Sequence, residues 1–199
     1  MLACLLGSAC IGSSAGADEA VVAAGRIKAD QVCSNCHGLD GLTSSGGNSA
    51  LTPILTAQSR RYLLAKMKAY RDGGIEHAQM TLIARMISEQ DIKRVIAWYA
   101  SVPFKISEIP IRIGELGPVE VCAGCHGLDG QASEPDNPDP IPSLTAQQKE
   151  YLVMRLKEYR SGRRKHEQMS AIAQSLSDQD IEAAAAWYSS IGLKVLRPK

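Results

Sequence analysis

"CSNCHGLDG" runs from Cys33 to Gly41, and "CAGCHGLDG" runs from Cys122 to Gly130. The second phrase starts 89 positions after the first (Cys33 to Cys122), and the agreement continues past its end. At that offset Cys33–Ser101 lies on Cys122–Ser190 without a gap, with roughly half the positions identical. Matched residues include Pro53 with Pro142, Leu55-Thr56-Ala57-Gln58 with Leu144-Thr145-Ala146-Gln147, and Tyr62 with Tyr151. Further on, Tyr70-Arg71 matches Tyr159-Arg160, His77 matches His166, Met80 matches Met169, and Trp98-Tyr99 matches Trp187-Tyr188. Such self-similarity marks two copies of one unit, and at this period each copy is long enough to be a small domain.

A chain of 199 residues suits two small domains. Its net charge of +1 argues against a dominant nucleic-acid surface. Aromatics are scarce, with one Phe, two Trp and six Tyr, and domains this small usually need a staple or a cofactor. Residues 1–17, MLACLLGSACIGSSAGA, carry no charge and are too short to span a membrane. They read as a secretory signal ending in Ala15-Gly16-Ala17, although no basic residue follows Met1. This is preferred to a lipid anchor at Cys10 or a buried N-terminal helix. Cleavage would remove Cys4 and Cys10 and leave four cysteines, all within the two repeated phrases. The predicted location is the periplasm, with the protein exported.

Residues 18–102 and 118–199 form the two predicted domains, joined by residues 103–117, an irregular connector containing Pro103 and Pro110. In the first copy a helix over Glu19–Val32 leads into the cysteines; in the second, a shorter stretch lies around Pro118–Val121. After a Gly/Ser/Asn-rich or Pro/Asp-rich loop, a helix is expected over Ala57–Arg71 and again over Ala146–Arg160. Thr145 with Gln148 suggests a capping box for the latter. The last helix of each copy opens at Ser88…Asp91 and Ser177…Asp180. Its apolar residues Ile92, Val95, Ile96 and Tyr99 recur at helical spacing. No stretch alternates as a strand. The predicted class is all-α.

C-x-x-C-H is the attachment signature of c-type haem. Cys33 and Cys36, and likewise Cys122 and Cys125, are placed to form thioethers, with His37 and His126 as proximal iron ligands. A thioredoxin-like motif would need a βαβ pattern, and a zinc site would need four converging ligands. Two covalently attached haem c groups are therefore expected. They would also fill cores poor in aromatics. For the sixth iron position, Met80 and Met169 each lie 43 residues after the histidine (His37 to Met80, His126 to Met169). Met67 aligns with Leu156 and Met86 with Ser175, so those methionines read as packing. His77 and His166 are rival sixth ligands, but His/Met is an electron-transfer pairing that raises the potential. Arg71, Arg160, Tyr62 and Tyr151 are candidates for contacts with the haem propionates.

The CxxCHG-x-D-G phrase, the Pro-x-Leu-x-x-Gln segment, the Tyr-Leu helix, the methionine and the Ser-x-x-Asp-Ile start, all present twice, resemble the cytochrome c4 family. These are dihaem class I cytochromes c of the bacterial periplasm. The resemblance covers about residues 20–192. It implies two tandem class I cytochrome c domains related by a pseudo-twofold, each around one covalently bound haem, with the propionate edges facing each other. It also implies single-electron transfer, soluble or peripherally attached to a membrane, from a respiratory donor such as a quinol–cytochrome c reductase to a haem-copper terminal oxidase. It points to Met80 and Met169 as the sixth ligands, and to an electron carrier rather than an enzyme. A cytochrome subunit of a larger oxidoreductase, such as a flavin-dependent sulfide dehydrogenase, is the alternative. The family's proline carbonyl on the proximal histidine is expected a few residues before the Pro-x-Leu segment. Ala50 and Asp139 occupy that place, so the sequence assigns no acceptor.

Overall fold

The computed structural model describes residues 14–43, 50–107, 109, 116–132 and 140–196. The first half contains α1 (Ser14–Val32), the single turn α2 (Ser34–His37), α3 (Arg60–Asp72), α4 (Ala78–Met86) and α5 (Glu89–Ser101). The second contains α6 (Val119–His126), α7 (Lys149–Arg160), α8 (Glu167–Ser175) and α9 (Asp178–Ser190). The expected helical class holds, and the leading and terminal helices fall where the sequence places them. Helices α4 and α8, which carry the repeated methionines, were not anticipated.

The terminal helix is the hub of each half. Ser88 accepts a hydrogen bond from the Asp91 amide, while Ser177 and Asp180 cap reciprocally, so both helices start where the sequence signature puts them. Ile92, Val95, Ile96 and Tyr99 of α5 pack with Ala29 of α1 and Leu63 of α3. In the other half Ala185, Tyr188 and Ile191 close on Val119 and Leu152. Helix α1 can lie directly against α5 because position 25 is glycine. A Cβ there would stand 1.9 Å from the Arg94 carbonyl oxygen.

Two sequence expectations require correction. The connector is not wholly irregular, because Phe104–Ile106 forms strand β1 and pairs antiparallel with β2, Leu193–Val195. Helix α6 has eight residues against nineteen in α1, and Ile106 and Ile109 of the connector pack on the second core. Both strands alternate, Phe104-Lys105-Ile106 and Leu193-Lys194-Val195 each being half-buried, exposed and half-buried in turn, but three residues are too few for a period of two to stand out in the sequence. The Thr145–Gln148 capping box is also absent. The Thr145 hydroxyl donates instead to the Asp129 carbonyl at 2.6 Å, and Ala146 has a left-handed φ of 55° that no helix continues through. Helix α7 therefore starts at Lys149.

Ala57 has the same left-handed backbone, with φ 70°. The two turns aim the buried side chains of Gln58 and Gln147 across the seam between the halves. Gln58 donates to the Ser143 carbonyl at 2.7 Å and accepts from the Ser143 amide at 3.0 Å. Gln147 accepts from the Ile54 amide at 2.8 Å and donates to the Ile54 carbonyl at 3.1 Å. Ile54 and Ser143 are themselves repeat equivalents. One local turn, used twice, therefore makes a reciprocal joint with pseudo-twofold character.

Candidate haem-binding site

Each CxxCH segment ends a helix and turns sharply at the following glycine. Tyr99 donates its hydroxyl to the Gly38 carbonyl at 3.0 Å, and Trp98 donates its indole N–H to the Leu39 carbonyl at 2.9 Å. Tyr188 and Trp187 do the same to Gly127 and Leu128, also at 3.0 and 2.9 Å. The repeated Trp-Tyr pair thus grips the turn after the histidine from the terminal helix. Gly41 and Gly130 then bring this turn against the next loop. Both have φ +74°, and a Cβ would stand 2.6 Å from the Thr56 hydroxyl or 2.5 Å from the Thr145 amide.

That loop supplies the acceptor the sequence left unassigned. His37 Nδ1 lies 3.0 Å from the Pro53 carbonyl oxygen, and His126 Nδ1 lies 3.0 Å from that of Pro142. The acceptor residues are the prolines of the Pro-x-Leu segment itself, not Ala50 or Asp139. Asp139 lies outside the described residues. A carbonyl can only accept, so in the neutral ring the proton sits on Nδ1 and the Nε2 lone pair is left for another partner. Burial lowers the pKa of both histidines, favouring that neutral form. Burial also pushes the Cys33 thiol up to about 11 and raises Cys122.

His77 and His166 have the opposite arrangement. They cap α4 and α8, with Nδ1 accepting from the amides of Met80 and Met169 at 3.2 and 3.3 Å. A neutral ring that accepts at Nδ1 carries its proton on Nε2, which leaves no lone pair there for a metal. Each ring also stands edge-on to a tyrosine, Tyr70 or Tyr159.

The site residues of both halves line one cavity of about 1020 Å³. It receives Cys33, Cys36, His37 and Met80 from the first half, and Cys122, Cys125, His126 and Met169 from the second. No disulfide joins these four cysteines. Tyr62 and Tyr151 also line it, with Lys66 5.1 Å and Arg155 4.8 Å from the respective ring centroids. Arg71 and Arg160 are used elsewhere and are not among the lining residues. Arg71 donates to the Ala84 carbonyl at 2.8 Å and to that of Ile87, tying α3 to the end of α4. Arg160 holds Asp178 at 2.5 Å and the Leu176 carbonyl at 3.5 Å. Both guanidiniums thus act as helix ties.

The cations that line the cavity are Lys66, Arg155 and Arg164; of the two arginines, Nε of Arg155 and Nη1 of Arg164 are buried without a hydrogen-bond partner. Neither arginine stands out as a residue shared by the two copies. Arg155 aligns with Lys66, which was a signal of sorts, but Arg164 aligns with Ile75 and so left none. The donor set fits haem: thiols at one side, a neutral imidazole with a free nitrogen, largely apolar walls, and unpaired cationic donors for an acidic edge.

Comparisons with known proteins agree. The family model described as cytochrome c matches residues 22–103 and again 118–191. Cytochrome c4 of Pseudomonas aeruginosa is 30% identical over 85% of this chain and 88% of its own length. The thiosulfate dehydrogenase electron acceptor of Stutzerimonas stutzeri is 26% identical over 85% of this chain and 83% of its own. The crystal structure of reduced recombinant cytochrome c4 from Pseudomonas stutzeri superposes with a TM-score of 0.70 at 25% identity, over 86% of this chain and 98% of that one. Two matched domains, two CxxCH segments and a whole-chain fold match lead to one assignment: the chain belongs to the cytochrome c family as a cytochrome c4-like electron carrier with two covalently attached haem c groups.

Proposed function

We infer that Cys33 and Cys36 hold one haem through thioethers and Cys122 and Cys125 the other, with iron between His37 and Met80 in the first half and between His126 and Met169 in the second. The observation carrying this reading is the opposed hydrogen bonding of the two histidines in each half. A proline carbonyl directs one imidazole to present Nε2 as a lone pair, whereas helix capping directs the other to present it as N–H. That leaves the methionine at the capped turn as the sixth ligand. Bound haem supplies the one-electron Fe(III)/Fe(II) couple, and a soft thioether favours the reduced state. The chain's own groups keep the proximal imidazole neutral and oriented.

The protein acts as an exported single-electron shuttle in the periplasm, taking electrons from a donor such as a quinol–cytochrome c reductase and passing them to a haem-copper oxidase. The apolar start of the chain supports export. Among the described residues no helix is long and apolar enough to cross a membrane. A second reading, as the cytochrome partner of a sulfur-compound dehydrogenase, is favoured by the relative named as a thiosulfate dehydrogenase electron acceptor.

Intact mass should exceed that of the polypeptide by two haems, and one or none would end the reading. Met80→His should lower one midpoint potential and leave the other in place; two unmoved potentials would remove Met80 as ligand. Reduction by a thiosulfate dehydrogenase with its substrate, compared with oxidation by oxidase-containing membranes, separates the two physiological roles.

A further inference from the structure

Arg164 breaks the repeat in a place where its neighbours obey it. Tyr62, Lys66 and Tyr70 correspond to Tyr151, Arg155 and Tyr159, but Arg164 corresponds to Ile75. Despite its charge it is 8% exposed, and it lines the cavity together with those four tyrosines. Its Nε donates to the Tyr159 hydroxyl at 2.9 Å, and the guanidinium carbon is 5.4 Å from that ring's centroid. Its influence also crosses the seam. Burial raises the Tyr70 hydroxyl of the first half, and the Arg155 and Arg164 guanidiniums oppose that rise. Tyr70 and Tyr159 are repeat equivalents on α3 and α7, and both line the same cavity as Arg164, so the cavity that holds this guanidinium is walled by both halves.

Among the described residues no carboxylate pairs with Arg164. Glu158 is taken by Arg155 at 2.6 Å, and Arg164 Nη1 remains buried without a partner. An unneutralised buried guanidinium with an unmet donor is costly, and such a site persists when an anion completes it. If the haem reading above holds, the carboxylates available at this seam are those of the haems.

We propose that Arg164 is a single off-repeat cation shared by both haems, pairing with their carboxylate edge through its free Nη1 and holding both potentials up. A fixed positive charge disfavours the more positive oxidised iron on either side of it, and it acts strongly in a site screened from water.

The test is a redox titration of the holoprotein as wild type, Arg164→Ile and Arg164→Lys, each first shown by intact mass to carry two haems. Isoleucine is the residue the other half uses at this position. Both midpoint potentials should fall in Arg164→Ile, and Arg164→Lys, which keeps the charge, should recover most of the fall. The proposal is overturned by two unchanged potentials, by a fall in one alone, or by a lysine variant no different from isoleucine, which would indicate a packing role. If Arg164→Ile does not accumulate, Arg164→Gln removes the charge at similar length and is read the same way. A wild-type chain without two haems would overturn the haem reading, and this proposal with it, before any titration.

Discussion

Tyr99 and Tyr188 each lend a buried phenol to the carbonyl of the glycine that follows the proximal histidine. Burial drives both hydroxyls well above the ordinary tyrosine range, so each stays a neutral donor. Tyr99→Phe removes that donor and leaves the buried Gly38 carbonyl only its bond from the Gly41 amide, at a cost of about 0.5–1.5 kcal/mol. The expected outcome is a lower denaturant midpoint at unchanged m-value, and an unmoved midpoint would show that the bond contributes nothing net. At this scale the doubled sequence displayed the right residues but not their partners. Trp98, Tyr99 and His37 all bond to backbone carbonyls, and a carbonyl has no residue type by which a sequence could announce it.

Between elements, α1 lies directly against α5 at Gly25. A methyl group there would meet the Arg94 carbonyl, a backbone atom that cannot rotate away. Gly25→Ala should therefore destabilise the first half by about 1–3 kcal/mol, although alanine is the better helix former by about 1 kcal/mol. A stability gain on thermal unfolding would mean that the helices separate at little cost. Helix caps were legible because Ser-x-x-Asp places a short acceptor and a carboxylate at fixed offsets, and the structure uses both sites. The start of α7 was not legible. Whether Thr145 caps a helix or bonds to Asp129 depends on a loop sixteen residues earlier. Strand β1 was hidden for a similar reason, since its partner β2 lies near the far end of the described chain.

Across the whole molecule, the glutamine joint makes one body of two domains. Gln147→Leu leaves the Ile54 amide and carbonyl unmatched in a buried seam, at about 1–3 kcal/mol for each group. The halves should then separate into two calorimetric transitions, whereas a single transition at the wild-type midpoint would assign the coupling to other contacts. What the sequence determined alone was the doubling, the helical class and the two haem phrases, because these rest on identities at fixed local spacing. Tertiary structure decided how those identities are used. It made Pro53 and Pro142 the acceptors, turned His77 and His166 into caps, moved Arg71 and Arg160 away from the cavity, and brought in Arg164. Each of these depends on which groups meet across long separations once apolar surface is buried, and on the polar groups that burial then obliges the fold to pair.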